Sequence, residues 1–338
     1  MKKRLLYIGN KLGNNGGTAT TIDVLSVLLQ EEGYTLRTAS PIKNKVGRFL
    51  DMLFKTFYHR METDLVLIDT YSTQNFLYAV GVASLCRIFK IPYIPILHGG
   101  NLFERLEKSP KLSRKLFKGA KINVAPSQYL LQEFQKKGYT NLVYIPNTIE
   151  IKKYPFLLRK SVSLKLLWVR SFAKIYNPLL AVHVLKNLID EGYKAQLCMV
   201  GPDKDGSLKM CKDLAREYNL PVTFTGKLEK EEWVALSAEY DIFINTTNFD
   251  NMPVSIIEAM ALGIPIISTN VGGIPYLIED KKNGLLVPPN DIEAIQKQII
   301  RLLKSDSLAK KLSVEGRKKA ESFDWDKVKH NWFPLLNN

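Results

Sequence analysis

Cysteine is scarce in this chain. The 338 residues hold three (Cys86, Cys198 and Cys211) and no Cys-x-x-Cys pair. That excludes a disulfide framework and the common zinc modules, and it fits a reducing compartment. Long apolar runs are also missing. The longest uncharged stretch, 259–278, is broken by prolines, glycines, Ser268, Thr269 and Asn270, so no segment reads as membrane-spanning. The chain starts MKKR, but only LLYIG follows before polar residues return, an apolar run too short for a signal peptide. Neither Gly-x-Gly-x-x-Gly at dinucleotide-binding spacing nor Gly-Lys-Ser/Thr occurs. No repeat with a period of roughly 20–50 residues and no low-complexity tract is visible.

Acidic residues are few relative to basic ones: 33 Asp+Glu against 48 Lys+Arg, a formal charge of +15. Hydrophobic residues at 46% and charged residues at 24% are ordinary for a globular protein and exclude disorder. The length suggests two domains, each with its own core. The charge is uneven. Residues 1–160 carry 25 Lys+Arg and 11 Asp+Glu, a net +14, whereas 161–338 carry 23 and 22, a net +1. Such basicity raises nucleic acid or an anionic membrane as partner, and it places that partner on the first half. No nucleic-acid module and no basic–aromatic stacking motif stands out, so no nucleic acid is expected.

Apolar runs alternate with amphipathic stretches. Strands are expected at 5–9, 64–69, 92–97, 122–126 and 142–146. The pattern then restarts at 164–169 and continues at 196–200, 222–225, 241–245, 265–268 and 284–288. Continuous apolar strands separated by helices indicate parallel sheets covered on both faces, hence two doubly wound α/β domains. The polar, basic segment 150–165 reads as a linker. The domains are therefore set at 1–155 and 156–338, with the last helix able to pack back on the first. From Val46, apolar residues recur at 49, 50, 53, 54, 57, 58 and 61, a helical stripe among lysines and arginines. Two readings stay open for it: a helix lying on an anionic membrane, or an apolar face packed on the first domain with solvated lysines.

Ligands of this fold class bind beyond the carboxyl ends of the strands, where helix N–H groups point outward. After the first strand comes GNKLGNNGGTAT. There Gly16 and Gly17 allow close backbone approach and Thr18 begins a helix whose N-terminus favours an anion, unless the segment is only a flexible turn. His98, at the end of the strand over 92–97, is expected to face the ligand side and bond a hydroxyl; a structural histidine is the plainer alternative. Arg170, after the strand over 164–169, can clamp a diphosphate, with Lys174 nearby adding charge; simple surface basicity is the alternative. Asp250 precedes a helix begun at Pro253, and Glu258 lies about one turn inside it. One carboxylate could hold sugar hydroxyls and the other a ribose diol, with the N–H groups of Asn251 and Met252 meeting a phosphate or sugar. The alternative makes Asp250 an N-cap and Glu258 a solvated helix residue.

Residues 246–288 resemble the C-terminal signature of the retaining glycosyltransferases called family 4, which have the GT-B fold. That signature is a glutamate, seven residues, a second glutamate, then AMA-x-G-x-PVI-x-(S/T)-x-x-GG. This chain has Asp250, seven residues, Glu258, then AMALGIPIISTNVGG. The resemblance extends to VRSFAKIYNP (169–178), MVGPDKDG (199–206), VTFTGKL (222–228), NGLLVPP (283–289) and FDWDKV (323–328). In the first half it covers the glycine loop, His98-Gly99 and IPNTIE (145–150). It implies two Rossmann-like domains facing a central cleft and transfer of a sugar from a nucleotide diphosphate, with retention at the anomeric carbon. Glu258 would bind the ribose and Asp250 the sugar hydroxyls. Arg170 and a lysine would neutralise the diphosphate, and His98 would contact the sugar near the reacting carbon. Gly16, Gly17 and Gly201 would lie at the donor, with the base near Lys227 and Leu228. Three positions depart from the pattern. Asp250 is one methylene shorter than the usual glutamate. Position 175, where the family spaces its lysine, is isoleucine, which leaves Lys174 as candidate. Asn147-Thr148 replaces a common Asn-Gly.

The expected enzyme is thus a retaining glycosyltransferase using a nucleotide-sugar donor, UDP-sugar favoured. Its acceptor would be a saccharide or lipid-linked saccharide of cell-surface polysaccharide, capsule or lipopolysaccharide biosynthesis. The expected location is cytoplasmic, peripheral on the inner face of the plasma membrane. Positive groups and helix N-termini aimed at the leaving diphosphate make a metal unnecessary, so no metal or other cofactor is expected. Asp203-x-Asp205 and Asp324-x-Asp326 resemble metal-binding Asp-x-Asp only superficially. The rival readings are a sugar-nucleotide epimerase of the same fold and a basic nucleic-acid-binding protein.

Overall fold

A computed structural model describes residues 2–13, 20–99 and 101–337. The chain divides into two compact units: unit 1 runs to Asn147 and takes up the chain again from Val328, and unit 2 is Thr148–Lys327. In unit 1, apolar β-branched runs form strands and amphipathic segments form the helices between them. The order is β1 (Arg4–Ile8), α1 (Thr21–Glu31), β2 (Thr35–Ala39), α2 (Lys45–Tyr58), β3 (Leu65–Thr70), α3 (Asn75–Ile88), β4 (Tyr93–Leu97), α4 (Leu102–Lys108), α5 (Pro110–Phe117), β5 (Asn123–Ala125), α6 (Gln128–Lys136) and β6 (Leu142–Tyr144). The strands pair in parallel in the order β2-β1-β3-β4-β5-β6. β3 and β4 are buried along their whole length because helices cover both faces.

Unit 2 repeats the scheme with β7 (Lys165–Val169), α7 (Pro178–Asp190), β8 (Gln196–Val200), α8 (Ser207–Glu217), β9 (Val222–Gly226), α9 (Lys230–Leu236), β10 (Ile242–Asn245), α10 (Val254–Ala261), β11 (Ile266–Thr269), α11 (Ile274–Leu277), β12 (Leu285–Val287), α12 (Ile292–Leu303) and α13 (Asp306–Glu321). Its parallel order is β12-β11-β10-β7-β8-β9, so the winding reverses between β7 and β10. In unit 1 the reversal lies between β1 and β3. These two switch points are where ligands enter open α/β sheets.

The segment expected to be a linker is packed instead. Tyr154, Arg159, Val162 and Leu164 are buried in unit 2. Arg159 sets the path. Its guanidinium donates to the carbonyls of Leu157 and Leu262 (both 2.8 Å) and of Ser237 and Tyr240 (both 3.0 Å). Leu262 ends α10, so the cation completes a helix C-terminus whose last carbonyls lack partners. A basic residue in a polar stretch reads as solvated, and that is why the sequence misleads here. A final helix, α14 (Trp325–Asn337), continues through Pro334 and carries the chain into unit 1. There Lys329 pairs with Glu32 (3.0 Å) and Tyr34 bonds Asn337 (2.9 Å).

Candidate functional site

In unit 2 the residues after β7 and after β10 meet at the switch point. The β10 loop is held from below. Trp168 Nε1 donates to Thr246 Oγ1 (3.0 Å), Thr269 Oγ1 donates to the Thr247 carbonyl (2.6 Å), and Asn248 N–H donates to Ile175 (2.8 Å). On the other side, Gly273 N–H donates to the Asp250 carbonyl (2.9 Å). A Cβ on Gly273 would stand 1.9 Å from the Asn251 carbonyl oxygen, so only glycine allows this approach. The paired glycines after β11 therefore shape the 250–252 backbone.

On this loop Asp250 forms an ion pair with Arg170. The guanidinium also lies over the Tyr176 ring, 4.4 Å from its centroid. Burial draws the Arg170 guanidinium below its ordinary pKa, and the neighbouring Tyr176 and Glu258 oppose that. Arg170 Nε is buried with no hydrogen-bond partner among the described residues. An unmet buried donor carries a desolvation cost of about 1–3 kcal/mol, which an incoming oxygen would relieve.

Glu258 stands on α10 at 4% exposure. Tyr154 donates its hydroxyl to Oε1 (2.8 Å), and Lys230, the first residue of α9, pairs with the same oxygen. Burial and the Glu258 charge push the Tyr154 phenol far above its usual range, so it stays a donor. Oε2 takes no hydrogen bond from the described residues. Burial excludes the solvated-residue alternative for Glu258. Lys230 and Tyr154 were not legible in the sequence: no local spacing links 154, 230 and 258.

The other candidates of unit 2 stand elsewhere. Lys174 is exposed, and its backbone N–H, not its ammonium, is held by Asp205 (2.8 Å). Asn251 N–H donates to the Asp250 carboxylate (2.7 Å), and Asn251 and Met252 are buried at 6% exposure. Pro253 is the N-cap of α10. Gly201 has φ +146°, and a Cβ there would lie 1.8 Å from the Arg170 carbonyl oxygen, so its place is fixed by the close approach of two strand ends. Lys227 pairs with Glu229 (2.9 Å), and Leu228 packs against the α10 core. Asp203 and Asp205 bond the N–H groups of Gly206 and Ser207 at the start of α8, and Asp324 bonds Ile151 N–H.

In unit 1, Gly16, Gly17 and Thr18 lie outside the described residues. His98 follows β4 and is 7% exposed. Tyr71 stacks on it with ring centroids 5.0 Å apart, and Asp69 Oδ1 binds its Nε2 at 2.8 Å. Tyr7 donates its hydroxyl to the same Oδ1 (2.8 Å), and burial with the Asp69 charge pushes that phenol well up. Asp69 Oδ2 is buried without a partner among the described residues. With Nε2–H given to Asp69, His98 offers Nδ1 as an acceptor. Asp69, Tyr7 and Tyr71 were missed because a lone aspartate at a strand end carries no motif.

Residues 152–319, the span that contains Arg170, Asp250 and Glu258, match the family model described as glycosyl transferases group 1. The chain carries that family's domain in unit 2. Its fold is the GT-B class of two Rossmann-like units: Anabaena Alr3699/HepE, solved in complex with UDP-glucose, superposes with a TM-score of 0.79 at 16% identity over 99% of both chains. Among relatives, the uncharacterized glycosyltransferase MJ1069 of Methanocaldococcus jannaschii is 25% identical over 307 residues, 83% of this chain and 76% of that protein. The sulfoquinovosyl transferase SQD2 of Arabidopsis thaliana is 28% identical over 149 residues, 43% of this chain and 28% of that protein. Against several further curated relatives of the group the chain also spans less than half of their length.

Proposed function

We propose that this chain is a retaining, metal-independent glycosyltransferase. It moves a sugar from a nucleotide diphosphate to a saccharide or lipid-linked saccharide acceptor of cell-surface polysaccharide synthesis. The observation that carries the reading is the pairing at the unit 2 switch point. Glu258 is a buried carboxylate fixed at one oxygen by Tyr154 and Lys230, and Arg170 is a half-buried guanidinium whose buried Nε–H is unmet.

Each residue then has a task. Oε2 of Glu258 accepts a ribose hydroxyl. Arg170 donates to the diphosphate, releasing Asp250 to the sugar hydroxyls. Lys230 takes the lysine role expected of Lys174, because its ammonium already points at Glu258 while that of Lys174 is solvated. The bond between the anomeric carbon and the diphosphate oxygen breaks, and the acceptor oxygen bonds that carbon on the same side, as retention requires. The acceptor proton ends on the diphosphate. Charge grows on the leaving oxygen, where a pre-placed guanidinium stabilises it. His98, oriented by Asp69, accepts from a sugar hydroxyl through Nδ1. The UDP-glucose complex of the Anabaena neighbour supports ranking UDP-sugars first.

The test is nucleotide release with and without acceptor, in the presence of a chelator. Acceptor-dependent release that survives chelation supports the reading. Release that needs no acceptor points to an epimerase or hydrolase, and full activity in both Glu258→Ala and Arg170→Ala would remove the site.

A further inference from the structure

Helix α2 has two apolar faces. Its inward face, Phe49, Met52, Leu53 and Thr56, packs on the unit 1 core. Its other face, continued just past the helix end, carries Val46, Leu50, Phe54, Phe57, Tyr58 and Met61, which are 48–80% exposed. At about 100° per residue these six fall within a stripe roughly 120° wide, centred about 130° from the inward set. Scattered exposed apolar residues are normal, but a continuous stripe of six large ones is not. Phe54 stacks on Tyr58 (5.7 Å), and Phe57 meets Phe89 (5.8 Å), which widens the patch toward the exposed Ile88.

Basic residues flank this patch. The Arg60 guanidinium sits over the Phe57 ring at 4.2 Å, the exposed Lys90 follows Phe89, and the exposed Lys43 and Lys45 precede Val46 in the chain. The nearby acids are already paired, Asp51 with Lys55 (3.4 Å) and Glu62 with Arg37 (2.8 Å). Lys43, Lys45, Arg60 and Lys90 have no acidic partner among the described residues.

We infer that the outward face of α2 docks unit 1 on an anionic lipid surface: the stripe enters the headgroup–acyl boundary and the flanking cations meet lipid phosphates. Charge decides the occupant. A second copy of this chain would bring four like cations against themselves across a two-fold axis, whereas an anionic membrane is complementary to both the apolar stripe and its flanking cations. Among the described residues no helix is long and apolar enough to cross a membrane, so the attachment is peripheral. The inference rests on unit 1 alone and does not depend on the transfer reaction.

Flotation of the full chain without substrate tests it, using vesicles of phosphatidylcholine alone and of phosphatidylcholine with an equal share of phosphatidylglycerol. The wild type should float with the anionic vesicles, release as salt rises, and stay behind with phosphatidylcholine. Leu50→Gln/Phe54→Gln should bind at least about tenfold more weakly. Lys43→Glu/Lys45→Glu should lose most of the salt-sensitive part. All four side chains are exposed, so matching thermal midpoints will confirm folding. No wild-type flotation at low salt, equal binding to both vesicle types, or unchanged binding by Leu50→Gln/Phe54→Gln would each overturn the proposal. A dimer in sedimentation that Leu50→Gln/Phe54→Gln dissociates would give the face to a second copy instead.

Discussion

Replacing Glu258 by glutamine separates holding a donor from reacting with it. The side chain keeps its size, and its carbonyl oxygen can still accept from Tyr154 and Lys230, so the internal contacts at Oε1 survive. What changes is the other oxygen. Oε2 takes no bond from the described protein groups, and an amide NH₂ in its place can donate to a hydroxyl but cannot accept from one. A hydrogen bond to a charged acceptor is worth about 1.5–3 kcal/mol, so losing it weakens donor binding roughly 10–150-fold. If the lost contact is to the ribose, remote from the reacting carbon, it is equal in ground and transition states. It then raises KM for the donor and leaves kcat nearly alone. Steady-state rates with varied nucleotide-sugar and saturating acceptor give both constants, and the thermal midpoint checks folding. An unchanged donor KM refutes the assignment. A fall in kcat at constant KM moves Glu258 to the reacting centre.

Arg170→Met should weaken donor binding too, and in addition lower kcat by about 10²–10³ in the same assay, since it removes a donor aimed at developing charge. Asp69→Asn should lower kcat about ten- to hundredfold by letting His98 turn or change tautomer; a fall in thermal midpoint with unchanged kinetics would make Asp69 merely structural. Arg159→Met should destabilise the chain by at least about 3 kcal/mol in urea unfolding, because four buried carbonyls lose a charged donor. Asp64, hydrogen-bonded by Arg4, has its carboxyl held near 2 instead of 3.8. Its contribution is present above pH 3.8 and lost as pH falls through 2, so Asp64→Asn should flatten the unfolding midpoint over that window. The pair is partly exposed, and the effect will be small.

The sheets were legible because each buried strand is a run of apolar residues: LVLID and QLCMV match β3 and β8 within a residue. Strand β2, Thr35–Ala39, was not, since this edge strand alternates buried and exposed positions and includes Thr35 and Arg37. α14 was hidden by Pro334, which ordinarily stops a helix. At the site, Asp250, Glu258 and Arg170 were readable because they sit at fixed places after strands and within one motif. Their partners were not. Tyr154 and Lys230 reach Glu258 from 104 and 28 residues away, and Asp69 reaches His98 from 29 away. Local spacing encodes which face a residue takes; tertiary folding decides what it meets there. The stripe from Val46 shows the limit most plainly, because its periodicity was evident but its division into an inward and an outward face was not.

The central claim is that unit 2 holds a nucleotide diphosphate sugar through Arg170 and Glu258. A thermal-shift titration of the full chain with UDP-, GDP-, ADP- and CDP-sugars tests it most directly. One nucleotide class should raise the midpoint, by the equivalent of about 2.7 kcal/mol at a hundred times its Kd, and the rise should shrink in Glu258→Gln and Arg170→Met. No shift with any of the four, or an equal shift in both variants, would contradict the account.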